Sequence, residues 1–181
     1  VWAEGVGPRR GIAPRLTCVA ALRDSPGAAG GGQFAVIQAA AQSQGIEGRS
    51  INVRDPAAIE RDVADFAGSP TDKNGMIVVS STNALVHREL IVKLAARQKL
   101  PTVYAQREFV NAGGLISYGT DIMALLHNAA GYVDRILKGA QPADLPVQAP
   151  TKFESAINTR AAVAPGLEFP PAELASAEDA P

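Results

Sequence analysis

Leu85–Gly119 reads LVHRELIVKLAARQKLPTVYAQREFVNAGGLISYG, and the alternation of periods inside it decides the fold class. Val86, Leu90, Ile91, Leu94 and Ala95 recur at three- and four-residue intervals while Arg88, Lys93 and Arg97 point elsewhere, the pattern of an amphipathic helix. Leu100-Pro101 ends it, because proline cannot extend a helix and biases the residue before it toward extended backbone. Thr102-Val103-Tyr104 is a short β-prone run, and Gly113-Gly114 then turns the chain into a second run, Leu115 to Tyr118. Helices alternating with short apolar strands predict an α/β unit whose parallel sheet is covered on both faces.

Upstream, the same alternation continues. Leu16–Leu22 is a continuous apolar run of strand length, as a central parallel strand requires. Asp24-Ser25-Pro26-Gly27 and the glycines to Gly32 predict a loop, and Phe34, Ile37, Gln38 and Ala41 a helix that Gly45 ends. Ser50–Val53 is a second strand. Asp55-Pro56 is a helix start, with the carboxylate as cap and proline in the first turn, and Ile59, Val63 and Phe66 supply the buried face. After the polar stretch Gly68–Gly75, Met76–Val79 is the third strand, and Ser80-Ser81-Thr82-Asn83 supplies the cap of the next helix.

Downstream, Thr120 or Asp121 can cap a helix whose stripe is Ile122, Leu125, Leu126, Ala129, Val133, Ile136 and Leu137, with Gly139 to stop it. Beyond Gln141 the chain is proline-rich, although Thr151–Ile157 can return as a strand. The expected organisation is a flexible lead-in over 1–14, the α/β lobe over 15–119, an amphipathic helix over 120–140, and a return segment with a largely irregular tail over 141–181. Disorder is expected beyond about Pro170, where small, acidic and proline residues predominate.

Composition narrows the function. The 181 residues are 46% hydrophobic, enough for a core in one domain. Seventeen basic against eighteen acidic residues leave a net charge of −1, which provides no field toward nucleic acid or an anionic membrane. No window approaches the ~20 apolar residues of a membrane span, so no membrane insertion is expected. Cys18 is the only cysteine, excluding an internal disulfide and a cysteine-based metal site. His87 and His127 lie forty residues apart in helices, without partners at ligand spacing. No metal, cofactor or catalytic pairing is expected.

The phrases HRELIVKLAARQKLPTVYAQREFVNAGGLISYGTD and AAGYVDRILKGAQPADLPVQAPTKFE resemble the C-terminal half of the substrate-binding proteins of a bacterial ABC-transporter family, whose members include binders of aromatic amino acids. IAPRLTCVAALRD, GQFAVIQAAA and SINVRDPAAIERDVADFA are similar to the same half, and the resemblance runs from about Ile12 to Glu154. It implies one lobe of a type I periplasmic-binding-protein fold: a three-layer, doubly wound parallel sheet of strand order 2-1-3-4-5. Function by resemblance is solute capture for an importer, with a small amino-acid-like ligand, an ABC permease as partner and a periplasmic location. Val1–Gly11 carries no export signal, so a leader and first lobe lie upstream or the chain stays in the cytoplasm. In two-lobed relatives the chain near Tyr118-Gly119 is a hinge crossing, and the next helix belongs to the first lobe. Nothing in this sequence resembles that lobe, so the stripe Ile122–Leu137 must cover this sheet, form a homodimer, or stay exposed.

Ligands of an open parallel sheet sit beyond the carboxyl ends of its strands. Here those ends supply Asp24, Ser25, Ser81, Thr82, Gln106, Arg107, Ser117 and Tyr118, a set suited to hydrogen bonding a small polar or amphipathic molecule. Each has a plainer role: Ser81, Thr82 and Asn83 as helix caps, Tyr118 as edge packing, Arg107 as exposed surface, Asp24 as a strand stop. No G-x-S-x-G turn surrounds any serine, which argues against a hydrolase. Gly30-Gly31-Gly32-Gln33-Phe34-Ala35 satisfies G-x-G-x-x-A, with Asp55 after the second strand. A nucleotide-binding protein using Gly30, Gly32 and Asp55, or a self-associating structural remnant, are the alternative readings.

Overall fold

The computed structural model describes residues 16–24, 28–68, 73–162 and 178–179. The strands are β1 (Cys18–Arg23), β2 (Glu47–Asn52), β3 (Asn74–Val78), β4 (Thr102–Tyr104), β5 (Ile116–Thr120), β6 (Phe153–Ile157) and β7 (Glu178–Asp179). The helices are α1 (Ala28–Gln42), α2 (Pro56–Ala67), α3 (Thr82–Val86), α4 (Arg88–Arg97), α5 (Arg107–Asn111), α6 (Ile122–Leu137) and α7 (Thr159–Ala162), with a 3-10 turn at Pro142–Asp144. One sheet contains every described strand, in the order β2-β1-β3-β4-β5-β6-β7. The first five strands are parallel neighbours in the order 2-1-3-4-5, β6 runs antiparallel to β5, and β7 runs parallel to β6.

Side chains alternate between the two faces of a strand, and the core divides accordingly. Cys18, Ala20, Leu22, Met76, Val78 and Tyr104 meet Ile59, Val63 and Phe66 of α2, Ile91, Val92, Leu94 and Ala95 of α4, and Phe109 of α5. The intervening residues Val19, Ala21, Ile77 and Val79 meet Ile37 and Ala41 of α1. Helix, sheet and helix therefore form three layers. Leu22, Ile37, Ile59 and Ile91 are wholly buried, each contributing about 1.5–3 kcal/mol of burial relative to exposure. Asn74 is among the buried polar residues, and its amide donates to the Phe66 carbonyl at 2.8 Å, tying the end of α2 to β3. Cys18 is 4% exposed, and burial raises its thiol pKa, which keeps it uncharged and unreactive.

Several boundaries differ from expectation. The glycines Gly30–Gly32 lie inside α1, which starts at Ala28 rather than near Phe34; the apolar face over Phe34, Ile37 and Ala41 is packed on the sheet and carries the weak helix formers with it. β2 begins at Glu47 rather than Ser50, because an edge strand needs only one ladder and tolerates exposed polar residues such as Arg49. The single helix expected after β3 is two, meeting at His87, so Val86 belongs to α3 and is 67% exposed. β5 runs to Thr120, past Ser117 and Tyr118. The lead-in 1–14 and the tail beyond Pro170 fall almost wholly outside the described residues.

After β5 the chain leaves the sheet. Asp121 caps α6 by accepting from Ala124 N–H at 2.9 Å. Its own N–H donates to Lys152 O at 3.1 Å and its carboxylate meets Lys152 Nζ at 2.8 Å, so departing and returning chains are joined where α6 begins. Tyr132 donates to Pro146 O, holding the return segment against the helix. No residue of α6 is buried. The stripe does not cover this sheet: in the single chain Ile122, Leu126, Val133, Ile136 and Leu137 are each at least 40% exposed.

Candidate ligand-binding rim

Because β1 to β5 run parallel, their carboxyl ends share one edge. Asp24 follows β1, Asp55 follows β2, Ser80–Asn83 follow β3, Gln106-Arg107 follow β4, and Asp121 follows β5. At the centre of this rim, Asn83 Nδ2 donates to Asp24 Oδ1 at 2.8 Å, joining the ends of two adjacent strands. The second carboxylate oxygen of Asp24 retains its accepting capacity. Beside this pair, Ser81 Oγ accepts from Ala84 N–H at 3.1 Å and caps α3, leaving its own O–H as a donor. Thr82 is the first, exposed residue of α3. Asp55 performs the corresponding task at α2, accepting from Ala57 N–H at 3.2 Å.

Toward β5 the rim contains buried polar atoms. Gln106 precedes α5 without capping it, and its Oε1 is buried without a hydrogen bond. Ser117 is 2% exposed and its Oγ likewise makes none. Such atoms cost about 1–3 kcal/mol each unless another group satisfies them. Ser117 pairs in register with Tyr104, the last residue of β4, which places it level with that strand's end. Tyr104 itself is 1% exposed and stacks on Phe109 with ring centroids 4.9 Å apart; burial raises its phenol pKa far above the ordinary value. Gly119 lets β5 pass the rim: a Cβ there would fall 1.9 Å from Ala105 O.

The structure thus gathers Asp24, Ser81 and Thr82 around the β1–β3 centre, and Gln106, Arg107 and Ser117 around the β4–β5 side. Arg107 is half-buried at the start of α5. Ser25 lies outside the described residues. Tyr118 points to the sheet face opposite Ser117, as neighbours on a strand must, and stacks on Phe153 of β6 at 6.0 Å; it belongs to the crossing rather than to the β4–β5 side. Sequence reasoning passed over Arg23. Its guanidinium lies 5.2 Å from the Phe34 ring centroid, its Nη1 donates to Asp24 O at 3.4 Å, and its Nε is buried with no hydrogen bond. The only available signal was a cation closing an apolar strand immediately before Asp24.

The nucleotide alternative fails on geometry. A phosphate-binding glycine tract must occupy the turn ahead of the helix so that backbone N–H groups converge, whereas Gly30–Gly32 are helical and Asp55 is engaged as a cap. Among the described residues no three His, Cys, Asp or Glu side chains cluster as metal ligands, and no helix is long and apolar enough to cross a membrane.

Comparison with known proteins gives a family and a fold. The family described as ABC transporter substrate binding protein matches residues 10–180. Among solved structures, a conserved domain protein from Vibrio cholerae superposes with a TM-score of 0.87 at 22% identity, over 99% of this chain and 60% of its own. The ABC domain in complex with L-Trp from Streptococcus pneumonia gives 0.85 at 23%, over 99% and 62%. A ligand-free, open substrate binding protein with adhesive properties from Clostridium difficile gives 0.72 at 18%, over 97% and 58%. The chain spans about 60% of the length of these structures, and the likenesses establish the fold. No curated protein matches.

Proposed function

This chain belongs to the ABC transporter substrate-binding protein family, and on that premise we propose that it is the second lobe of a solute-capture protein for an importer. The observation that carries the reading is an asymmetry. All the parallel strands present polar side chains at one edge, while the chain beyond that edge leaves through β5, returns through β6, and bears a helix with no apolar residue buried. A lobe built in this way supplies half of a cleft, and closure on a ligand would derive its affinity from contacts made only when a second lobe completes it. The work is binding, without chemistry on the solute. We further propose an ABC permease as partner and a location outside the cytoplasm, both typical of the family.

For the ligand we favour a small amino acid. Asp24 Oδ2 offers an acceptor to an ammonium group, Ser81 and Gln106 offer hydrogen bonds, and the related Streptococcus structure is described as holding L-Trp. Ser25, Thr82, Arg107 and Ser117 complete the proposed contacts, with Tyr118 at the hinge. Calorimetry of this chain against an amino-acid panel tests the proposal. Weak or undetectable heats are expected from the chain alone, and tight one-to-one binding by the monomer would overturn the half-cleft reading.

The exposed face of α6 favours a second reading, in which two copies pair through Ile122–Leu137. Light scattering over a concentration series decides between them: a dimer that dissociates in a Leu126→Glu variant supports pairing, and a monomer at all concentrations removes it.

A further inference from the structure

Arg23 is placed as few surface arginines are. It ends β1, the strand paired on both sides by β2 and β3, so it sits one strand in from the edge of the rim rather than at its corner. Its guanidinium lies over Phe34 of α1, a contact that fixes the plane of the fork and desolvates one face of it. Among the described residues the side chain has no carboxylate partner: its hydrogen bond there is the long contact from Nη1 to Asp24 O, and the buried Nε makes none. A guanidinium has five N–H donors and cannot shed its charge. Most of its donors are therefore uncommitted at the point where the strand ends meet the cleft. Arg107, the guanidinium that the sequence suggests for this task, lies half-buried on the short helix α5 after β4, on the other side of β3.

We infer that Arg23 is the carboxylate anchor of this rim, so that the solute it takes bears a carboxylate. The inference rests on reading the rim as ligand-facing, and adds to it the residue that holds the acid group. Ring stacking pre-orients the fork, and a carboxylate arriving over the end of β1 accepts from it in the bidentate manner that planar guanidinium favours. Asp24 projects to the other side of the same strand end, where Asn83 holds it. A molecule lying across β1 therefore meets a cation on one side and an anion on the other, the arrangement that selects a zwitterion over a simple acid.

The test is a titration of the 181-residue chain followed by NMR of its arginine Nε–Hε resonances, using phenylacetate, the uncharged phenylacetamide, and a panel of L-amino acids. The Arg23 resonance, assigned through its loss in Arg23→Gln, should move with phenylacetate and not with phenylacetamide. Arg23→Gln should weaken phenylacetate binding roughly tenfold or more, the worth of a charged hydrogen-bond pair, while Arg49→Gln, on the exposed edge strand β2 and outside the proposed contacts, should leave it within about twofold. Should Arg23→Gln not fold, Arg23→Lys keeps the charge without the fork and should still weaken binding, and the wild-type titration is itself decisive. An Arg23 resonance that stays still while phenylacetate moves Gln106 and Arg107 amides overturns the anchor and leaves the solute-binding rim intact. An Arg23 resonance that does not move even at phenylacetate concentrations high enough to load the weak site expected of a single lobe overturns it as well. A response at Arg23 to phenylacetate, with no L-amino acid binding more tightly, sustains the anchor and removes the amino-acid reading.

Discussion

Helices α4 and α6 carry the same kind of sequence pattern and meet opposite fates. In α4 the stripe Ile91, Val92, Leu94 and Ala95 is buried against the sheet. In α6 an equally regular stripe over 16 residues has no buried member, and Leu137 at its end is 81% exposed. The difference lies in the connections. Leu100-Pro101 returns the chain from α4 directly into the parallel strand β4, so the helix must lie across the sheet; α6 starts beyond β5 and comes back antiparallel through β6. Periodicity declares that a face is apolar, and topology decides whether this chain provides its cover.

That contrast is most readily broken at its buried side. Ile91 is 0% exposed, and Ile91→Ala removes methyl groups from a packed site at a cost of about 2–5 kcal/mol. Urea denaturation should show the loss in the midpoint at unchanged slope. A change below about 1 kcal/mol would mean that α4 is not held to the sheet as described.

Next in size comes Gly119→Ala. The added Cβ meets backbone at Ala105 rather than the yielding end of a side chain, so the strand or the rim must move, at about 1–3 kcal/mol or more. The same denaturation assay reports it, and because the displaced backbone adjoins Gln106, the Gln106 and Arg107 amide resonances should shift too. A variant as stable as the wild type would show that β5 does not approach β4 so closely. Smaller again is Ser81→Ala, which removes the cap on Ala84 N–H and should cost about 1 kcal/mol. Changes under a few tenths would indicate that water replaces the cap, and that Ser81 Oγ is wholly available to a ligand.

How much of this was readable beforehand depends on how local the deciding interactions are. β4 and the start of α2 at Asp55-Pro56 are correct to the residue, because proline geometry and side-chain capping act within a few positions. The glycine tract of α1 reads as a loop because weak helix propensity is a local quantity, and the packing of Ile37 and Ala41 that overrides it is not. β2 reads as starting at Ser50 because its polar first half is supported by an edge position that only the strand order reveals. At the rim, the strand ends were legible as a set, since a parallel sheet collects them. What each side chain does there was not. That Asn83 binds Asp24 across 59 residues, that Arg23 stacks on Phe34, and that Tyr118 faces away from Ser117 are consequences of register and of packing between elements.

The junction where β5 gives way to α6 and the chain returns beside it has a pH signature. The Lys152 ammonium, aided by the Ala124 N–H, holds the Asp121 carboxyl below the usual carboxylate range. A folded-state value below the unfolded one adds stability that is fully present above the unfolded pKa, about 3.9, and disappears as pH falls through the folded value. Wild type should therefore lose stability relative to Asp121→Asn as the pH drops below about 4. The effect should be modest and salt-sensitive, because the Lys152 side chain is 71% exposed. Parallel pH profiles for the two proteins would show that Asp121 and Lys152 do not join the crossing strands in solution.

The smallest effect is expected on the exposed side of the comparison, and there the smallness is the point. Leu126 is 58% exposed on α6. Leu126→Ala should change the stability of the 181-residue chain by no more than about 0.5 kcal/mol, as at an ordinary surface position, although the residue belongs to a stripe as regular as the one that contains Ile91. If a second lobe or a second copy covers that face, the same substitution becomes a core mutation: its cost should rise to about 2–5 kcal/mol once the cover is supplied. Unfolding measured at increasing protein concentration, and again with any first lobe joined in frame, reads the two costs side by side. A loss of several kcal/mol in dilute monomer would place the stripe against this chain's own sheet, and α6 would then differ from α4 in nothing but its connections.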